Sequence, residues 1–573
     1  MELKWVLEKN FDEALVEKLS ESLNVSHVIS KILIQRGIDS FTKAREFFRP
    51  DFKYLHDPFL MADMDKAVER INAALRNKEK ILIYGDYDVD GITSVSMVYM
   101  FLKGLYADVI FYIPDRLKDG YGLSISGLEE AYKKGVSLVI SVDCGITAVN
   151  EIKFAKEKNI DVIVCDHHEP GEVLPDAYAV LDPKRGQCSY PFKELAGVGV
   201  AFKLIQAMHK DMNFHTDTLH DFIDLVAIGS SADIVPLVGE NRILVKKGLE
   251  KLNYDQSIGM KALIYTSGLS DKVIGTGQVV FVLAPRINAV GRLGDAERAA
   301  HLLTSTDYKE AHSIAKILET ENIERKTIDD VTFRNADKMM REKVDPKKEK
   351  SIVLFEEKWH PGVIGIVASR IVEKYYRPTI LISVEDGIGK GSARSIEGFD
   401  IYDAIKQCSK FLKEYGGHKY AAGLTIKQEN IEKFIKEFKK VSKDLITDEL
   451  LIQKLKIDAE LEFDEINTKL INVLKQFTPY GPQNMRPVFI SRNLEVVEGP
   501  TIVGANHLKF KARKNRMVFD AIGFNLGEKI SIIEPGVANL NMVYVIEENS
   551  YFGKNSIQLR VKDIKINYNS DYI

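Results

Sequence analysis

The sequence predicts an α/β multidomain chain: a parallel-sheet domain, a long connecting helix, a second α/β domain and a C-terminal β-barrel. Three observations carry this. From Glu79 to about Ile234, strand-like apolar runs (Ile81–Tyr84, Val109–Ile113, Leu138–Val142, Val162–Cys165 and Ala179–Leu181) alternate with helical ones, the sign of βαβ units. A single helical pattern then extends over about Thr306–Glu342. After about residue 455, short strands follow one another at close intervals, as in a small barrel.

Taken in order, residues 1–75 form an N-terminal helical segment. Apolar positions recur at helical spacing from Val25 to Arg36, and Gly37 supplies a stop. Residues 76–235 form the parallel-sheet domain. Residues 236–345 are a helical connector, with Ser305 as the cap of its long helix and Ile314, Ile317 and Leu318 on one face. The lysine-rich stretch Asp345–Lys350 is a linker. Strand runs resume at Ser351–Phe355 and Thr379–Ser383, so a second α/β domain spans 346–450. The barrel, 451–573, contains the runs Val488–Ile490, Leu494–Val497, His507–Ala512, Met517–Phe524, Asn541–Glu547 and Ser556–Val561.

At 573 residues the chain is too long for one core. A hydrophobic content of 45% and a charged content of 28% are those of a globular protein. The net charge of −4 is uninformative, although 79 Lys and Arg allow a local basic groove. Four cysteines with no Cys-x-x-Cys pair exclude a disulfide framework and suggest a reducing, cytoplasmic setting. The first residues lack the pattern of a signal peptide, and no apolar run is long enough for a membrane span.

The chemistry lies at the ends of apolar runs. Ile81-Leu-Ile-Tyr-Gly-Asp-Tyr-Asp-Val-Asp-Gly91 sets Asp86, Asp88 and Asp90 at alternate positions, which on an extended strand end would share a face. Carboxylates packed this closely repel, and a divalent cation is the usual compensation. A calcium-binding EF-hand loop is excluded by Met97 at its twelfth position. Asp143 follows Leu138–Val142, Asp166-His167-His168 follows Val162–Cys165, and Asp233 follows the apolar stretch Leu225–Ile228. Each alone has an ordinary reading as a cap or turn residue. Together they place hard oxygens and imidazole where a parallel sheet puts its active site, a donor set suited to Mn²⁺ or Mg²⁺. Cys144 and Cys165 beside them are expected to point into the core.

Three further segments suit anions: Ala284–Gly294, with Arg286, Asn288 and Arg292; Gly389–Ser395, with Ser392 and Arg394; and Gly416–Gly423, with His418. None has the spacing of a nucleoside-triphosphate phosphate loop. In the barrel, His507, Lys509, Lys511, Arg513, Lys514 and Arg516 would line one face, opposite Leu508, Phe510 and Ala512, a cationic face for a nucleic-acid backbone.

These motifs resemble the DHH phosphoesterase family, whose name spells Asp166-His-His168. Asp86–Gly91 looks like its first motif, Val142–Gly145 its second and Ala232–Pro236 its fourth. Gly416–Gly423 resembles the signature of the accompanying DHHA1 domain, and Pro479–Asn484 the junction before an OB-fold. Ile113–Ser124, Arg286–Asp295 and Trp359–Gly365 resemble the long bacterial members that act as single-strand-specific 5′→3′ exonucleases. The chain departs from some relatives at Tyr84, where they carry His, and at Gln483-Asn-Met485.

The resemblance implies a DHH domain, a DHHA1 substrate-binding domain and an OB-fold. It implies two Mn²⁺ or Mg²⁺ ions held by Asp86, Asp88, Asp143, His167 and Asp233, with Asp90 and His168 adjacent. It makes Arg116, Ser392 and Arg394 candidates for the 5′-phosphate, helped by Arg286 or Arg292, and Tyr121 a stacking platform for the terminal base. The implied partners are single-stranded DNA, a single-strand-binding protein and a helicase; the implied state is a monomer acting in DNA recombination and repair. Two rival readings are a phosphodiesterase for nanoRNA or cyclic dinucleotides, whose members lack the N-terminal segment and barrel, and a non-catalytic single-strand-binding relative, in which metal carboxylates are lost.

Overall fold

A computed structural model of the chain describes residues 3–8, 10–115, 120, 122–212, 216–293, 295–345, 348–551 and 554–567. The N-terminal segment is not purely helical. Strand β1 (Lys4–Leu7) precedes the helices Glu13–Leu23, His27–Gln35 and Phe41–Phe48. Each helix begins on a side-chain cap, from Asp12, Ser26 and Ser40. Gly37, at φ +74, follows the second helix as the stop its position suggested.

Five parallel strands build the next unit: β2 (Lys80–Gly85), β3 (Asp108–Tyr112), β4 (Val136–Val142), β5 (Asp161–Cys165) and β6 (Ala179–Leu181), in the order β3-β2-β4-β5-β6. The order reverses between β2 and β4, and a doubly wound sheet opens its ligand crevice at such a point. The register is level there: Gly85 pairs with Val142 and Val142 with Cys165, so the next residues, Asp86, Asp143 and Asp166, emerge side by side.

The long helix runs Tyr308–Lys343. Its cap is Asp307, whose carboxylate accepts from Lys309 N; Ser305, two residues before that cap, instead receives the Asp307 N–H. Leu318 is buried, whereas Ile317 points outward, one step off the stripe.

The second α/β unit has the sheet order β10-β11-β9-β8-β7, from β7 (Ile352–Glu356), β8 (Thr379–Glu385), β9 (Ile388–Arg394), β10 (Leu412–His418) and β11 (Ala421–Lys427). The C-terminal unit adds β12 (Lys454–Ile457), which pairs with β1, and β13 (Ala459–Glu460). Its barrel consists of β14 (Phe489–Val503), β15 (His507–Lys514), β16 (Met517–Gly523), β17 (Ala538–Tyr551) and β18 (Lys554–Ile566), and β14–β17 pairing closes it. The two runs at 488–490 and 494–497 are one bent strand, β14, with register shifts where it turns.

A buried guanidinium fastens these parts. Arg242 stacks on Phe47 at 3.7 Å and donates to the carbonyls of Phe47, Gln476, Phe477, Thr478 and Pro479. The N-terminal helices and the barrel share one hydrophobic core.

Candidate active site

The aspartate-rich segment does not stay extended. β2 ends at Gly85 and a helix starts at Val89, so the three carboxylates are sorted by a turn rather than by a strand face. Asp88 caps that helix, accepting from the N–H groups of Asp90 and Gly91. Asp90 lies in its first turn, and its carboxylate accepts from the N–H groups of Gly197 (2.7 Å) and Val198 (2.9 Å), the start of the Gly197–Asp211 helix. Only glycine fits at 197: a Cβ there would lie 2.6 Å from Asp143 Oδ1.

Three overlapping groups bring donor atoms within 4.8 Å of one another: Asp86, Asp88 and Asp143; Asp143, His167 and His168; and Asp90, His167 and Asp233. Asp143 and His167 each belong to two of them. His167 Nε2 lies 3.2 Å from Asp143, 3.6 Å from Asp233 and 3.9 Å from Asp90. It is buried and makes no hydrogen bond among the described residues. Burial pushes this imidazole down to about 3, so it is neutral and can offer a lone pair. Burial, then repulsion from neighbouring carboxylates, raises Asp143 and Asp233 well above the usual range and Asp90 to about 7. An orphaned imidazole nitrogen facing mutually repelling carboxylates fits hard divalent cations. Beside Asp233, Ile234 adopts φ +64, a costly conformation for a β-branched residue and one that clusters at functional sites.

The adjacent histidine is tuned the other way. Asp166 accepts from the backbone of His167 (2.7 Å), His168 (3.2 Å) and Ile146 (2.9 Å), and lies 2.7 Å from His168 Nδ1. Burial opposes charge on both partners, but their contact outweighs it: Asp166 falls to about 2 and His168 rises to about 9. Asp166 is thus an anchor, a role that the motif alone does not reveal. A further carboxylate also escaped the sequence reading. Asp182 follows β6 in the same register, and burial raises it to about 7. The Ala196–Val200 run of small residues and glycines was the visible sign that a helix start approaches the site closely.

A cavity of about 730 Å³ joins this cluster to the second α/β unit. Tyr87 and Asp88 line one side; Ser392, Arg394 and His418 line the other. Arg394 donates to Ser392 Oγ, and Gly365, early in the Ile364–Tyr375 helix, leaves room for both, since a Cβ there would lie 2.9 Å from each. Arg292 donates to Gly362 O, tying the Ala284–Leu293 helix to the loop before Ile364. Asn288 is half-buried on that helix. Arg286 is engaged elsewhere, with Val282 O and Glu319, because its helical position faces the long helix. Tyr84 is not at the metal cluster; its hydroxyl donates to Gly122 O. Cys144 and Cys165 are buried in the core, as expected. Arg116 and Tyr121 lie outside the described residues.

On the barrel, β15 alternates as expected, with Leu508, Phe510 and Ala512 buried. Its cationic face is not bare, however. Lys511, Arg513 and Lys514 pair with Glu498, Glu495 and Glu462.

Family models match three stretches: the DHH family N-terminal domain over residues 80–230, the DHHA1 domain over 348–444 and the RecJ OB domain over 457–563. The single-stranded-DNA-specific exonuclease RecJ of Bacillus subtilis is 38% identical over 569 residues, 98% of this chain and 71% of that one. The crystal structure of Thermus thermophilus RecJ with Mn²⁺ superposes with a TM-score of 0.86 at 28% identity, covering 99% of this chain and 80% of that one. Its Mg²⁺ complex gives 0.78 at 26% identity, covering 99% and 79%.

Proposed function

Because the chain belongs to the RecJ family of single-stranded-DNA-specific exonucleases, we propose that it hydrolyses single-stranded DNA from the 5′ end, releasing 5′-mononucleotides, in recombination and repair. One observation supports this above the others: a single cavity has Asp88, at the edge of the carboxylate cluster, on one side and a serine–arginine–histidine anion clamp on the other.

Asp86, Asp88, Asp143, His167 and Asp233 would hold two divalent ions, Mn²⁺ or Mg²⁺. When bound, such ions make water nucleophilic at neutral pH and offset charge at the scissile phosphate. Asp90, fixed by two helix N–H groups, orients the cluster around His167 and Asp233. His168, cationic through Asp166, donates to a phosphate oxygen. Arg394, Ser392 and His418 hold the terminal 5′-phosphate, which sets polarity, with Arg116 and Tyr121 completing the grip on the terminal nucleotide. The barrel carries the strand downstream. A single-strand-binding protein and a helicase supply the strand to a monomeric, cytoplasmic enzyme; no helix among the described residues is long and apolar enough to cross a membrane.

The test is a digest of 5′- and 3′-labelled single strands with Mn²⁺, beside a blunt duplex. Early release of the 5′ label alone, with the duplex spared, is the expected result. First release from the 3′ end, or equal attack on duplex, would overturn the reading. Attack confined to dinucleotides would favour the short phosphodiesterase relatives.

A further inference from the structure

The cavity extends beyond what a terminal phosphate occupies. Sheet register divides its floor into rows. Arg394, Ala421 and His418 form the first; Ser392, Gly423 and Gly416 the second; Lys390, Thr425 and Glu414 the third. Rows two residues apart lie about 7 Å apart along the strands. An added Cβ at Gly291 would lie 2.6 Å from Tyr87 O, the neighbouring Arg292 donates to Gly362 O, and a Cβ at Gly365 would lie 2.9 Å from both Ser392 and Arg394, so the first two rows are the ones beside the Tyr87–Asp88 end of the metal cluster. The third row therefore lies beyond the clamp, on the side away from the metals.

In the second row, Gly423 and Gly416 leave the floor beside Ser392 without side chains. An added Cβ would meet nothing within 4 Å at Gly416, and at Gly423 only Gly391 O at 3.9 Å. Neither glycine has a left-handed backbone, so the fold does not require them. They keep the floor open. The third row offers an ammonium, a hydroxyl and a carboxylate, with Thr425 Oγ1 donating to Glu414 at 3.5 Å. Donors and acceptors in one row suit the polar edges of a nucleoside better than an added phosphate, which Glu414 would repel. The volume, about 730 Å³, is in the range that encloses a small organic ligand.

We propose that this third row is a nucleoside subsite, used when a strand ends in a 5′-hydroxyl. The inference rests on Ser392 and Arg394 gripping a phosphate, as proposed above. Lacking a terminal phosphate, such a strand places its first internucleotide phosphate in the clamp. Its 5′ nucleoside then lies over Gly423 and Gly416 against Lys390, Thr425 and Glu414. Water adds to the phosphorus between the second and third nucleotides. The bond to the 3′ oxygen of the second nucleotide breaks, and that oxygen leaves with a proton. The first product is a dinucleoside monophosphate, and the shortened strand now carries a 5′-phosphate for ordinary single-nucleotide steps.

Mass spectrometry of the earliest products from matched 5′-hydroxyl and 5′-phosphate strands tests this. The 5′-hydroxyl strand is expected to yield a dinucleoside monophosphate first and the 5′-phosphate strand a mononucleotide. In Lys390→Ala/Thr425→Val, the ratio of 5′-hydroxyl to 5′-phosphate turnover should fall about tenfold, the size of one or two lost hydrogen bonds. Equilibrium binding of thymidylyl-thymidine to the metal-free protein should weaken similarly, and that of 5′-thymidylate much less. A free nucleoside as first product, equal slowing of both strands, or unchanged thymidylyl-thymidine binding would overturn the subsite. A 5′-phosphate strand that is not shortened from its 5′ end would instead overturn the exonuclease reading.

Discussion

Two clusters of buried charge lie in the same catalytic lobe, and they are built on opposite rules. In one, Lys203 and Glu240 meet at 2.7 Å, Tyr190 donates to Glu240 at 2.6 Å, and His56 N donates at 2.9 Å. Both ions are essentially inaccessible, and each has a partner. In the other, Asp90, Asp143 and Asp233 crowd the neutral imidazole of His167, mutual repulsion adds to the cost of burial, and their proton affinities rise accordingly. Burying charge is costly in either place. The first cluster answers the cost within the chain and so reads as architecture. The second leaves it open to an external ion and so reads as function.

That contrast can be broken experimentally, beginning with the largest effect. Asp88→Ala with Asp143→Ala is expected to lower hydrolysis of single strands at least about a thousandfold, because bound ions contribute several kcal/mol to such reactions. Asp143→Asn alone, which leaves the Asp88 helix cap in place, should unfold in the absence of metal no earlier than the parent, since repulsion is removed, and Mn²⁺ should raise its melting temperature less. A marked loss of metal-free stability would show that this carboxylate is structural after all.

Glu240→Gln tests the paired cluster. Breaking one partner of a buried ion pair typically costs about 3–5 kcal/mol. The loss should appear in denaturant unfolding, while activity per folded molecule and the Mn²⁺ response persist. A selective loss of activity would contradict the division between the clusters.

Asp224 is an intermediate case, buried near the start of the Ile223–Ala232 helix. Burial raises it to about 6 from 3.8, partly offset by Lys251. A raised carboxylate binds its proton more tightly when folded. Its cost is absent below the unfolded value, grows as pH rises from about 4 to about 6, and reaches roughly 3 kcal/mol at neutral pH. Asp224→Asn should therefore stabilise the protein at pH 7 by up to that amount and have little effect near pH 3.5. Equal effects at both pH values would refute the assignment. The smallest effect is expected on the barrel, where the exposed Arg513–Glu495 pair should show a coupling of no more than about 1 kcal/mol in a double-mutant cycle.

Much of this contrast was legible in the sequence. All five parallel strands announce themselves as apolar runs, and their ends name Asp86, Asp143 and His167. The turn at Asp88 was harder to read, because alternate aspartates look alike whether the backbone is extended or entering a helix. Asp166 and Asp182 were illegible as an anchor and a fourth in-register carboxylate, since only the β4–β5–β6 pairing sets them beside Asp143. The pairing of Arg286 with Glu319, and of the β15 cations with carboxylates on other elements, depends on long-range contacts that local patterning does not encode.

The pairing of β1 with β12 has a consequence for how the chain is made. Trp5 donates to Asp563, 558 residues later, and the N-terminal helices share their apolar core with the barrel. At a synthesis rate of about 5–20 residues per second, the first helices wait roughly half a minute to two minutes for their packing partner. The catalytic lobe can assemble on the ribosome in that interval. The N-terminal helices therefore keep the apolar face that packs on the barrel uncovered through that interval, a surface a chaperone can cover.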